Sequence, residues 1–263
     1  MLFRQRHPFM GKMRKPLIAG NWKMNGSIGL AADLLQAMQP GLEESSVEVV
    51  ICPPFSLLQS MGECFRETSV SLGAQNVHPQ ISGAYTGETS AAMLNEMEVK
   101  WCIVGHSERR AQFAETDVLV RQKVGTLLQH GIQPIVCVGE SLEEREAGKH
   151  ESVVVEQLKN GLSGLAADDQ LSCTIAYEPV WAIGTGKTAT SQQANSMHLT
   201  IRRELAELAT EQVASEIRIL YGGSVNAANA AELLEQSEID GSLVGGASLK
   251  TDQFPGIIAA SNV

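Results

Sequence analysis

Ala176-Tyr177-Glu178-Pro179-Val180-Trp181-Ala182-Ile183-Gly184-Thr185-Gly186-Lys187 places one carboxylate at the end of an apolar strand, directly before a loop with glycines at its centre. Pro179 and the bulky Val180 and Trp181 stiffen the start of that loop, whereas Gly184 and Gly186 let backbone amides come close to a ligand. The pattern is that of a base followed by a lid, Pro179 to Lys187, and an anion suits it. Gly184-Thr185-Gly186-Lys187-Thr188 also imitates a nucleotide-binding P-loop. That motif needs a glycine five residues before its second glycine, and Trp181 stands there instead.

Working outward from this segment, short apolar runs recur about every 30 residues, each followed by a stretch with helical spacing. The strand candidates are Leu17–Trp22, Val47–Cys52, Ser71–Gln75, Trp101–Val104, Gln133–Val138, Cys173–Tyr177, Ile217–Tyr221 and Ser242–Val244. Most are continuously apolar, as expected of parallel strands buried on both faces. Intervening segments such as Leu30–Met38, Val118–His130, Val153–Leu162, Gln192–Leu208 and Ala227–Leu234 interleave apolar and charged residues at helical intervals. Eight strand-then-helix units predict a single α/β domain, a (β/α)₈ barrel over residues 15–263. Residues 1–14 are expected to stand outside it as an extension, with Met13 an alternative start.

Bulk properties narrow the function. The chain has 263 residues, 43% hydrophobic and 19% charged, ordinary values for a globule with a sizeable core. Its 30 acidic and 20 basic side chains give a formal charge of -10, which argues against nucleic acid or an anionic membrane as partner. No apolar run approaches the roughly 18 residues of a membrane helix. Five cysteines lack Cys-x-x-Cys and zinc-type Cys/His spacing and so do not read as a metal site; the four in or beside apolar strand-like runs read as small buried hydrophobes, and the usage fits a reducing cytoplasm.

Barrel chemistry sits where strands end. Strand one ends Asn21-Trp22-Lys23, strand four Gly105-His106-Ser107-Glu108, strand six Glu178, strand seven Gly222-Gly223-Ser224 and strand eight Gly245-Gly246. Glycines after strands seven and eight of a barrel are a recurrent phosphate site. The remaining side chains are a cation, an imidazole and a carboxylate: Lys23, His106 and Glu178. A nucleophile–base pair, a His-Glu-x-x-His metal motif and a dinucleotide fingerprint are all missing from the sequence. The set fits proton transfer on a small phosphorylated compound, with Glu178 as base and His106 moving protons on oxygen. Ile183 and Leu243 are apolar neighbours expected to raise the basicity of Glu178 when the loop closes.

These segments together resemble the triosephosphate isomerase family, from about Lys15 to the C-terminus. Asn21-Trp22-Lys23-Met24-Asn25-Gly26, Val104-Gly105-His106-Ser107-Glu108-Arg109-Arg110 and the Ala176–Lys187 stretch match its three signature segments. Tyr221-Gly222-Gly223-Ser224 and Leu243-Val244-Gly245-Gly246-Ala247-Ser248-Leu249 match its phosphate loops. The resemblance implies interconversion of dihydroxyacetone phosphate and glyceraldehyde 3-phosphate in glycolysis and gluconeogenesis, without metal or organic cofactor. Because the family is itself a standard example of pKa tuning, the roles of base and neutral imidazole come with the resemblance and not from spacing.

On that basis Glu178 moves the carbon-bound proton and His106 polarises the carbonyl. Lys23 stabilises negative charge, Asn21 positions Lys23, and Glu108 organises Lys23 and His106. Gly184, Ser224, Gly245 and Gly246 hold the phosphate. Tyr221 and Ser224 bind the closed lid. The resemblance further implies a homodimer in which the loop carrying Gln75, Asn76, Tyr85, Thr86 and Glu88 brings Thr86 toward Asn21 and Lys23 of the partner subunit. Trp101, Cys102 and Ser242 are unusual choices that bear on packing. Two other readings use the same residues: an aldolase-like lyase with Lys23 as Schiff-base nucleophile, and a noncatalytic phosphate-binding scaffold.

Overall fold

A computed structural model describes residues 14–43, 46–183 and 188–261 of the chain. The eight expected strands form: β1 (Leu17–Asn21), β2 (Glu48–Cys52), β3 (Val70–Ala74), β4 (Trp101–Val104), β5 (Gln133–Val138), β6 (Thr174–Tyr177), β7 (Ile219–Tyr221) and β8 (Gly241–Val244). They close in sequence order into one barrel, each paired in parallel with its neighbours and β1 with β8. Helices separate the strands, so every strand's carboxyl end falls on one rim. Expected and observed bounds coincide for β4 and β5 and differ by one or two residues in the others. The largest shift is at β7, where the Ile217 amide still bonds to Val213 O at 3.2 Å and so ends the preceding helix, Glu211–Glu216.

Continuous apolar strands work here because both faces are covered. Leu17, Ala19, Ile103, Ile135, Ala176 and Leu220 belong to the cluster inside the barrel. Ile18, Val49, Val104, Val136, Ile175 and Ile219 alternate with them and pack in the layer under the helices. Tyr177 and Tyr221 lie in that outer layer, directly paired in the β6–β7 register.

The unusual residues are packing solutions. Trp101 fills the interior, and a Cβ on the neighbouring Gly73 would come within 2.4 Å of Cys52 Sγ, so the space there is used up. The Arg218 guanidinium lies 5.1 Å from the Trp101 ring and pairs with Glu48 at 2.6 Å, closing the end of the barrel opposite the rim. Cys102 joins the outer layer, while the buried Ser242 hydroxyl has no partner.

Charge fastens the floor. Arg202, fully buried on the helix Ser191–Leu208, donates to Glu238 Oε2 at 2.6 Å, Asp240 Oδ2 at 2.7 Å, Ala214 O at 2.6 Å and Ile217 O at 2.9 Å. Asp240 also accepts the Ile219 amide and the Arg14 side chain, so Arg14 is fastened to the barrel while residues 1–13 lie outside the described residues. Removing one member of such a network leaves buried charge uncompensated. Arg202→Met is expected to lower the unfolding free energy by about 3–5 kcal/mol in denaturant titration; a loss below about 1 kcal/mol would show that the network is not needed for stability.

Candidate active site

The rim holds a cavity of about 410 Å³, within the range of small-molecule sites. Asn21, Lys23, His106, Glu108, Glu178, Ser224, Gly245 and Gly246 all line it, so strand ends far apart in sequence converge as expected. Ile183 and Leu243 line it too. Gly184, Thr185, Gly186 and Lys187 of the lid lie outside the described residues.

Glu178 follows β6 and is only 2% exposed. Its Oε2 accepts the Ser107 amide at 2.9 Å, and its Oε1 accepts the Ser107 hydroxyl at 3.2 Å and faces His106 Nε2 at 3.0 Å. Burial pushes the carboxyl pKa up, yet the His106 and Ser107 interactions outweigh it and hold the group below its usual range. In this arrangement Ile183 and Leu243 therefore do not set the balance; a stronger base requires the carboxylate to leave Ser107. Close packing needs glycine around it: a Cβ on Gly139 would sit 1.8 Å from the Glu178 carbonyl oxygen, and one on Gly222 2.9 Å from Glu178 Cγ.

His106 caps the helix Ser107–Gln112, its Nδ1 accepting the Glu108 amide at 3.2 Å. An accepting Nδ1 bears no proton, which leaves the neutral ring protonated at Nε2, facing the cavity and Glu178. Burial disfavours imidazolium, but the charge and hydrogen bond of Glu178 favour it, and the net shift of the pair is upward. Most of that upward pull comes from the adjacent Glu178 carboxylate, with a smaller part from Glu108, which Lys23 opposes. Once Glu178 moves away or takes a proton, burial and the Glu108 amide both favour the neutral ring. The platform beneath is rigid: Gly105, with φ at +71°, donates to Glu115 Oε1 at 2.7 Å, and its carbonyl accepts from Arg110 Nε at 2.7 Å.

Lys23 occupies left-handed backbone space at φ +52°, a conformation that costs a non-glycine residue about 1–3 kcal/mol. Two side chains stabilise it. Asn21 Oδ1 accepts the Lys23 amide at 3.0 Å, and Gln75 Nε2 donates to Lys23 O at 2.9 Å and Cys52 O at 2.8 Å. Lys23 Nζ then reaches Glu108 Oε1 at 2.6 Å. A Schiff-base lysine needs an apolar pocket or a second cation beside its amine; this one is engaged with a carboxylate, as suits a charge-stabilising cation.

Sequence reasoning passed over strand five, which ends Gly139-Glu140. Glu140 is wholly buried, and its Oε1 accepts Trp181 Nε1 at 2.8 Å, Arg145 NH1 at 2.9 Å and the Tyr177 hydroxyl at 3.1 Å. The Arg145 guanidinium covers the Trp181 ring at 4.7 Å. Pro179, Val180, Trp181 and Ala182 are thereby clamped at the near end of the lid, with Val180–Ala182 a 3₁₀ turn. The strand-end rule applied to all eight strands would have selected Glu140. Gln75 was expected only in an intersubunit loop; here it supports Lys23.

Ser224 Oγ donates to Ala182 O at 3.3 Å, joining the loop after β7 to the lid. Gly246 opens the turn Gly246–Leu249, and the first amides of such a turn have no partner within it. Beyond Gln75 the long loop turns outward. Asn76 is buried against Lys123 Nζ at 2.7 Å, whereas Tyr85, Thr86 and Glu88 are exposed, Tyr85 against His78 with ring centroids 4.0 Å apart.

A family model described as triosephosphate isomerase matches residues 16–261. The triosephosphate isomerase of Thermoanaerobacter pseudethanolicus is 48% identical over 246 residues, 94% of this chain and 99% of its own length. That of Herpetosiphon aurantiacus is 49% identical over 247 residues, 94% and 99% of the two chains. That of Carboxydothermus hydrogenoformans is 49% identical over 250 residues, 95% of this chain and all of its own.

Because the Ser107 hydroxyl favours the ionised form of Glu178, Ser107→Ala should raise the free-protein pKa of that carboxyl. The acid limb of kcat/KM should then move to higher pH, and an unmoved limb would mean that the Ser107 hydroxyl does not tune the base.

Proposed function

The chain belongs to the triosephosphate isomerase family, whose members interconvert dihydroxyacetone phosphate and D-glyceraldehyde 3-phosphate, and from that premise we propose how its residues divide the reaction. Glu178 removes a proton from C1 of dihydroxyacetone phosphate and returns it to C2. His106, neutral and protonated at Nε2, donates a hydrogen bond to the carbonyl oxygen as charge develops, then serves the adjacent oxygen in the second half. Lys23, held by Asn21, Gln75 and Glu108, stabilises the negative charge of substrate and enediolate. Acid, base and cation are all side chains, and no cofactor enters. The observation that carries this reading is the convergence of Glu178 Oε1 and His106 Nε2, 3.0 Å apart, on one cavity also lined by Lys23.

Gly184, Ser224, Gly245 and Gly246 take the phosphate, with backbone amides at the start of Gly246–Leu249 as donors. Pro179 to Lys187 closes over it. Closure excludes water and holds the carbon–phosphate oxygen bond in an orientation that resists phosphate loss from the enediolate. The same motion takes Glu178 from Ser107 to the substrate, and loss of those donors increases its basicity. Lid, base and phosphate are thus linked through Ser224 and the Glu140 clamp.

The functional unit is a homodimer. Exposed Ile81 and Tyr85, with Met24 at 94% exposure beside Lys23, form apolar surface that a second copy covers. Thr86 approaches Asn21 and Lys23 of the partner subunit. A reducing cytoplasm suits the five cysteines, all free among the described residues.

Two measurements test these assignments. Glu178→Asp and His106→Gln should each slow isomerisation of glyceraldehyde 3-phosphate by about a hundredfold to ten-thousandfold, and unchanged turnover would remove that residue from the mechanism. Light scattering at low micromolar concentration should give twice the mass of one chain; a fully active monomer would defeat the dimer.

A further inference from the structure

His198 lies on the helix Ser191–Leu208 that follows the lid, and it is fully buried. Its Nδ1 is 3.0 Å from the Glu238 carbonyl oxygen. A carbonyl can only accept, so Nδ1 holds the proton and Nε2 presents a lone pair, buried and without a hydrogen-bond partner. An orphaned acceptor of this kind is destabilising, and an apolar side chain would fill the space without that cost. The position of the ring suggests what the imidazole does there.

It packs edge-on against Tyr177, centroids 5.9 Å apart at 87°, and tilted against Tyr221 at 6.5 Å and 41°. Those two tyrosines are register partners at the ends of β6 and β7. Each leads to one end of the lid. The Tyr177 hydroxyl donates to Glu140 Oε1, the atom that also accepts from Trp181 in the lid's near end. The Tyr221 hydroxyl faces the backbone amide of Ala189, just past the far end, without completing a hydrogen bond. A Cβ on Gly223 would strike that hydroxyl at 2.2 Å and approach Pro179 Cγ at 3.0 Å, so the space around it is tightly defined.

We propose that His198 is a positioning residue of the lid: a ring, locked in rotation by Glu238 O, that fixes Tyr177 and Tyr221 so that both lid ends seat together when it closes. The inference rests on the isomerase reading and on the lid's role in it. Burial first, and the nearby Arg202 cation second, hold the imidazole pKa down to about 3 despite the Glu238 carbonyl, so the ring stays uncharged at working pH. The bland alternative is a core histidine that only ties the helix to the Glu238 loop. The two differ in what they predict for the fate of the enediolate.

The test compares wild type, His198→Leu, Tyr221→Phe and the double variant with dihydroxyacetone phosphate, measuring isomerisation and release of inorganic phosphate in each. His198→Leu should lower kcat about tenfold, in the span seen for coupling through residues off a site, and raise the share of turnovers that release phosphate. In the Tyr221→Phe background the same change should do less, because the part of its effect that passes through the Tyr221 hydroxyl is already lost. Lowered melting temperature with unchanged kcat and unchanged phosphate share, or strictly additive effects, would overturn the inference. Should His198→Leu not fold, His198→Phe, which keeps a ring and loses the Glu238 bond, is read in the same cycle with the same outcomes. A wild type that fails to isomerise would instead defeat the isomerase reading itself.

Discussion

Everything at this site depends on where one buried carboxylate finds its hydrogen bonds. Glu178 takes both donors of Ser107 and faces the imidazole of His106, and those contacts outweigh the burial that on its own raises its pKa. A carboxylate so satisfied is a weak base. On the proposed mechanism its strength is released by movement, and closure of the adjoining loop supplies that movement. On that mechanism ground-state rest and catalytic strength are two positions of one side chain, and the structure shows the first, on Ser107.

The barrel supplies the precision this requires. Its floor is fixed by Arg202 between Glu238 and Asp240, and its interior is filled to the limit by Trp101 opposite Gly73. At the rim, Gly139 and Gly222 let backbone and side chain of Glu178 approach within distances that any Cβ would block. The strained backbone of Lys23 is stabilised by Asn21 and Gln75, an example of local cost offset by neighbouring side chains. The tyrosine pair on β6 and β7 continues that packing toward Glu140, to which Tyr177 donates.

The eight-unit pattern was legible because parallel strands covered on both faces leave continuous apolar runs, and Trp101–Val104 and Gln133–Val138 fell on their observed bounds. Strand seven was read too long because the apolar Ile217 completes a helix rather than starting a strand, a choice made by one backbone hydrogen bond. Asn21, Lys23, His106 and Glu178 were legible as polar residues at strand ends. Glu140 obeyed the same rule but lacked a chemical reason to be noticed, since its work is to gather Trp181, Tyr177 and Arg145. Gln75 and His198 act through contacts made only in three dimensions, the first across 52 residues to Lys23 and the second across 40 to Glu238. The hydrogen bonds that hold Glu178 here were likewise invisible, because the expectation drawn from Ile183 and Leu243 concerned the closed loop, whereas the Ser107 and His106 contacts that lower its pKa form only in three dimensions.

The most direct test of this account is the titration of Glu178 followed by the carbon-13 shift of its labelled carboxyl, in the free protein and with a saturating phosphorylated carboxylic acid that imitates the enediolate. Below the ordinary carboxylate range when free, and clearly raised when the ligand is bound and the lid closed, is the predicted result. The same pKa in both states would contradict the claim that the lid turns a parked carboxylate into a base.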